Sequence, residues 1–160
     1  MTDKVIQLRD TTGFPGMKVL QFAFDPEGDS IEMPHNHPNN VVAYTGTHDN
    51  DTILGWYENE TTPASRAFLD KYSNRRDDET VHHALFRLLF GSPAFMAVVT
   101  MQDLLGLDGS ARMNLPNTLG GNWKWRITAD QLTPEIEAEL LDLTETYRRV
   151  NVHLVNEKSE

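Results

Sequence analysis

The stretch from Val41 to Thr52, Val-Val-Ala-Tyr-Thr-Gly-Thr-His-Asp-Asn-Asp-Thr, constrains this chain more than any other. Four residues of strand composition run straight into a turn that presents His48, Asp49, Asn50 and Asp51. A hydrophobic strand whose carboxyl end opens into polar side chains is how α/β barrels build active sites. Asp49 is therefore the first candidate for chemistry, with His48 as its companion. A second reading is that Asp49 and Asp51 cap a helix beginning near Thr52, a task Asx residues perform well. Spacing alone leaves both open.

This strand is expected over Val41–Gly46, and two further segments read as strands. Lys18–Phe24 lies between the turn-forming Gly13-Phe-Pro-Gly16 and Asp25-Pro-Glu-Gly28. Ala94–Thr100 is continuously apolar, as expected where both faces of a strand are covered. Between the first two strands, Asp25–Asn40 holds three prolines, one glycine and three asparagines, and is expected to be a loop. Its length suffices for a parallel crossover. Thr62 with Pro63 predicts an N-cap and first helical position, placing Phe68, Leu69 and Tyr72 on one face. Asp77 or Asp78 is expected to cap the next helix, in which Val81, Ala84, Leu85, Leu88 and Leu89 keep helical spacing up to Gly91-Ser-Pro93. Gln102–Leu107 reads as a short helical turn and Asp108–Arg126 as a long loop. Thr133-Pro134 opens a final helix with Ile136, Leu140, Leu143, Tyr147 and Val150 inward, and Asn156–Glu160 is expected to fray. Strands alternating with helices imply a parallel α/β sheet, with an open sheet and a piece of a barrel both still possible.

Composition narrows the partners. At 160 residues, 39% apolar and 24% charged, the chain suits one domain with a real core. No window approaches the ~18 apolar residues of a membrane span, and Met-Thr-Asp-Lys-Val lacks the features of a signal peptide. A formal charge of −10 argues against nucleic acid or an anionic membrane. The absence of cysteine excludes disulfides, thiolate metal sites and cysteine catalysis, and fits a cytoplasmic location.

Five motifs occur in order: Gly16-Met-Lys-Val-Leu-Gln-Phe22, Gly46-Thr-His-Asp-Asn-Asp-Thr52, Gln102-Asp-Leu-Leu-Gly-Leu107, Ala111-Arg-Met-Asn114 and Gly121-Asn-Trp-Lys-Trp-Arg126. Together they closely resemble the carboxy-terminal part of 4-α-glucanotransferases, the amylomaltase or disproportionating-enzyme family, from about Val5 to about Val150. The resemblance implies the last three strands and helices of a (β/α)8 TIM barrel, with residues 1–160 as one segment. It also implies transfer of α-1,4-glucan segments between malto-oligosaccharides with retention and without a cofactor. Such chemistry needs two carboxyl groups roughly 5–5.5 Å apart around an oxocarbenium-like transition state. A third carboxylate can hydrogen-bond the sugar and balance its developing charge.

In the family that third group is the aspartate of the His-Asp-Asn-Asp turn, which corresponds to Asp49, and His48 matches a histidine contacting the same sugar. The family's nucleophile and acid/base lie on earlier strands, so the isolated chain is expected to be inactive. Asn114, Asn122 and Trp123 resemble the loop that closes over the substrate groove, although tryptophans more often simply fill space. Arg112 and Arg126 read as structural, pairing with loop carboxylates or carbonyls. Asp103 sits where it can approach the site or cap a helix. Asp25 matches an acidic loop residue near the acceptor sugar, but Pro26 and Glu27 depart from the family pattern. His35-Asn-His37 has metal-like spacing without a third ligand, and metal is rejected. His82-His83 sits in a helix where one ring is expected to face solvent.

The resulting expectation is the carboxy-terminal segment of a cytoplasmic 4-α-glucanotransferase, from a truncated reading frame or a split gene. Its expected partners are an α-glucan and a separate amino-terminal half of the barrel. The alternative is a glucan-binding or partner-binding module that kept the groove loops and lost the chemistry.

Overall fold

Gly16–Val19, Val41–Tyr44 and Met96–Val98 are the strands β1, β2 and β3 of a computed structural model that describes residues 2–150. They pair in parallel in the order β1-β2-β3, with Met17, Val42 and Met96 in one row and Val19, Tyr44 and Val98 in another. Two compact units make up the chain, Met1–Arg126 and Ile127–Glu160. The tail expected at Asn156–Glu160 lies outside the described residues.

Each strand is shorter than the sequence suggests. The expected first strand, Lys18–Phe24, starts two residues earlier and stops at Val19, where Leu20–Phe22 form a 3₁₀ turn. The Gln21 N–H crosses to the Thr45 carbonyl and the Ala23 N–H closes back on Leu20. Leu20, Ala23 and Phe24 are buried all the same, so the apolar run marks the core without marking a strand. The second strand ends at Tyr44, although the Thr45 N–H still reaches the Val98 carbonyl. The third occupies only Met96–Val98 of the expected Ala94–Thr100, because Thr100 leaves to cap the following helix.

The first unit also contains α1 (Asp3–Thr12), α2 (Ile53–Asn59), α3 (Pro63–Ser73), α4 (Val81–Phe90) and α5 (Met101–Leu104). α1 buries no residue, and its Val5, Ile6 and Leu8 stand exposed; Gly13, at φ 73°, ends it in the left-handed conformation. Thr62 and Pro63 start α3 as expected. α4 begins at Val81 instead of after Asp77 or Asp78. Arg76 and Glu79 close a turn just before it, and Glu79 then receives the Arg87 guanidinium fork at 2.6 and 2.8 Å. That fork holds the Glu79 carboxyl below its ordinary pKa.

The core is built from Val41 and Ala43 of β2, Ile53 of α2, Leu69 of α3, and Leu85, Phe86 and Leu89 of α4, all at most 1% exposed. Fully burying such a side chain stabilises by about 1.5–3 kcal/mol. Phe24 lies 6.2–6.5 Å, centroid to centroid, from Trp56, Phe68 and Tyr72, joining the segment after β1 to α2 and α3. The expectation that β3 is covered on both faces is not met: Met96 is 47% exposed, and its row-mate Met17 is 60% exposed. Neighbours in one row of a sheet share a face, so this face is open at Met17 and Met96, although Val19 on the same face is buried, while Val41 and Ala43 seal the other.

The second unit holds α6, Pro134–Thr146, with Thr133 at its N-cap as expected. Leu143 is buried, and Ile136, Leu140 and Tyr147 are half-buried. The helix stops before Val150, and Arg148 takes a positive φ of 55°, so Val150 leaves the inward stripe. Among the described residues no helix is long and apolar enough to cross a membrane.

Candidate active site

Beyond Tyr44 the chain folds into a turn organised by its own side chains. Asn50 Oδ1 accepts from both the backbone N–H and the hydroxyl of Thr47, and the Asp49 N–H donates to Thr47 Oγ1. The buried Gln21 amide donates to the Asp51 carbonyl. Helix α2 is capped by Thr52, whose hydroxyl accepts from the Gly55 N–H at 3.1 Å. Neither Asp49 nor Asp51 is that cap. Asp51 Oδ1 instead accepts from the adjacent Thr52 N–H.

The Asp49 carboxylate, about half exposed, points elsewhere. Its Oδ1 accepts from the Asn114 side-chain amide at 2.6 Å and lies 3.3 Å from His48 Nε2. The His48 ring in turn stands 5.2 Å from the Trp123 ring. Trp123 is 54% exposed and adopts φ 62°, with its N–H on the Met113 carbonyl. The ring is therefore presented at the surface and does not fill space. Asp49, His48, Asn114 and Trp123 form one cluster at the carboxyl end of β2. Beside it lies a cleft of about 210 Å³ lined by His48, Asp51, Gln102, Arg112 and Trp123 among others.

Asn122 does not join the cluster. Its Oδ1 accepts from the Leu115 N–H and its Nδ2 donates to Thr118 Oγ1, so both ends of the amide hold its own loop. Arg126 donates to the carbonyls of Trp123 and Trp125, as expected of a structural cation. Arg112 does more. Its guanidinium donates to the Asp49 carbonyl at 2.7 Å, to Glu60 Oε1 at 3.0 Å and to the Asn114 carbonyl at 3.0 Å, with Asp51 at 3.8 Å. One fork thus joins the loop 108–126 to the Asp49 turn and to the end of α2.

Asp103, in α5, is 2% exposed. Its Oδ1 accepts from the Ile53 N–H at 2.7 Å and its Oδ2 from the Thr45 hydroxyl at 2.8 Å. Burial pushes its carboxyl up, and these two hydrogen bonds pull it back. Asp25 Oδ1 accepts from the Glu27 N–H, a local turn bond. His35 Nδ1 meets the Tyr72 hydroxyl and His37 Nε2 the Glu32 carbonyl. His82 is buried while His83 is partly exposed.

The family model for 4-α-glucanotransferases matches residues 1–133, which include the whole cluster. The chain belongs to the 4-α-glucanotransferase family. It is 62% identical to a Streptococcus pneumoniae 4-α-glucanotransferase over 99% of its length, and 46% identical to one from Thermus thermophilus over 94%. In both cases it spans only 31% of the relative. Its structure is similar to Streptococcus agalactiae amylomaltase in complex with acarbose, with a TM-score of 0.90 and 41% identity over 94% of this chain and 30% of that one.

Proposed function

We propose that this chain forms the last three strands and associated helices of a (β/α)8 barrel that transfers α-1,4-glucan segments between malto-oligosaccharides. In this reading Asp49 hydrogen-bonds the hydroxyls of the reacting sugar and balances its developing positive charge. His48 and Asn114 orient Asp49 and share the same sugar, and Trp123 offers an exposed ring to a sugar face. Asn122 acts by shaping the loop that carries Trp123. The nucleophile and acid/base come from the part of the enzyme that the chain does not span.

The observation that carries this reading is the half-exposed Asp49 carboxylate at the end of β2, held between His48 and Asn114 beside an exposed tryptophan. The open sheet face bearing Met17 and Met96 supports docking with the remainder of a barrel. A neutral glucan also demands no basic groove, consistent with a chain of charge −10.

Co-expression with the portion of the S. pneumoniae relative that this chain does not cover tests the proposal. The reconstituted complex is expected to disproportionate maltotriose, and each part alone to be silent. Glucose release by the isolated chain at ordinary turnover would contradict the division of catalytic groups. Acarbose binding by an assembled complex that shows no turnover would favour a glucan-binding module.

A further inference from the structure

Asp103 is buried, carries an ionisable group, and has no part in the cluster of sugar-facing side chains. Its two carboxylate oxygens reach two points far apart in sequence from it and close to each other along the chain. Thr45 directly follows β2 and still reaches β3, through its N–H on the Val98 carbonyl. Ile53 is the first residue of α2. Between them lie only the seven residues that carry His48 and Asp49. Asp103 itself is anchored, since its N–H donates to the Thr100 hydroxyl at the start of α5. One carboxylate therefore fixes both ends of the turn to the segment following β3.

We propose that Asp103 is the positioning residue of this site: by clamping Thr45 and Ile53 it sets where the Asp49 carboxylate stands. The consequence for catalysis rests on the glucan-transfer reading, whereas the clamp itself does not. Arg112 holds the same turn between those ends, through the Asp49 carbonyl. The turn is thus held at both ends by Asp103 and between them by Arg112 and, through the Asp51 carbonyl, by Gln21, which suits a side chain whose distance from a reacting atom must not drift.

Two substitutions separate clamping from general stability. Asp103→Leu removes both acceptors and keeps the branching at Cγ, with methyl groups bulkier than the oxygens they replace. Asp103→Asn keeps an acceptor for the Ile53 N–H and offers an N–H₂ to Thr45 Oγ1, which can accept. Thr45→Val severs the β2 end alone and serves if the leucine variant fails to fold.

Amide exchange of the isolated chain, followed by NMR, reads the clamp directly. In Asp103→Leu the Ile53 amide should exchange about tenfold faster or more, the loss expected for a hydrogen bond to a charged acceptor. The Asn114 side-chain amide should lose the shift that its contact with Asp49 imposes, while amides of α4 such as Leu85 and Phe86 stay protected. Thr45→Val should reproduce the Asn114 change, and Asp103→Asn should restore both signals. Uniform acceleration across α4 would reduce Asp103 to a stability residue. An unchanged Asn114 signal in folded Asp103→Leu or Thr45→Val would overturn the clamp.

In the reconstituted enzyme, Asp103→Leu should lower kcat about tenfold or more with KM nearly unchanged, and Asp103→Asn should recover most of it. A kcat equal to wild type would overturn the catalytic consequence. A wild-type complex without turnover fails the glucan-transfer reading, and the exchange result still decides the clamp.

Discussion

Gly55→Ala reverses the usual sign of a glycine replacement in a helix. Gly55 lies in the first turn of α2, where alanine ordinarily gains about 0.5–1 kcal/mol over glycine. Here a Cβ would fall 2.6 Å from the Asp51 carboxylate, against 3.4–4 Å for ordinary contact. The carboxylate has little room to retreat. It bonds the Thr52 N–H at 2.8 Å, and behind it Gly109 is so near that a Cβ there would come within 2.9 Å. Forcing atoms into such a site costs about 1–3 kcal/mol, so the net effect is a loss of about 0.5–2 kcal/mol. For a chain of this size that lowers the melting midpoint by about 1–8 °C, measurable by circular dichroism together with the urea midpoint. On an Asp51→Ala background the clash is gone, and the same change should become stabilising by about 1 kcal/mol. A Gly55→Ala chain that melts higher than wild type with Asp51 in place would refute the packing argument.

His82 gives a prediction in pH. Burial, reinforced by the charge of His83, lowers its pKa from 6.5 to about 4, so the folded chain holds the ring neutral where the unfolded chain protonates it. Stability from this group is complete above pH 6.5 and falls as the pH drops toward about 4, by no more than about 3 kcal/mol. His82→Met should flatten the urea midpoint across that window, and an unchanged slope would contradict the assignment. The open sheet face makes a second prediction: the chain should self-associate at micromolar concentration, and Met17→Lys with Met96→Lys should reduce this in sedimentation velocity. A wild-type chain that sediments as a monomer would count against it.

Much of the architecture was legible because its signals are local. Thr62-Pro63 and Thr133-Pro134 mark helix starts through capping chemistry that three or four residues complete, and both helices begin there. The parallel order of the strands followed from alternation with helices. Strand ends were not legible, since Leu20, Ala23 and Phe24 are as apolar as a strand interior but are buried in a turn fixed by the distant Thr45 carbonyl. The open face of β3 was hidden for the opposite reason: an apolar run does not say whether its cover belongs to the same chain. Within the site, the His48–Asp49 turn was visible as a break in composition. The grip of Asp103 on Thr45 and Ile53 spans at least 50 residues and leaves no periodic trace. Nor did Asn122 advertise that its amide is occupied within its own loop. Gly55 and Gly109 were the available clue to Asp51, because a carboxylate pressed between two backbones needs both positions without a side chain.

The central claim is that Asp49 faces the reacting sugar and does not merely order its turn. Asp49→Asn in the reconstituted enzyme tests this most directly, because the amide keeps the size of the side chain and can still meet His48 and Asn114. Assembly, followed by co-purification and sedimentation, should match wild type. Turnover of maltotriose should fall on the order of 100-fold or more, since a neutral amide cannot balance charge developing on the sugar. An assembled Asp49→Asn complex that keeps most of its turnover would contradict the account.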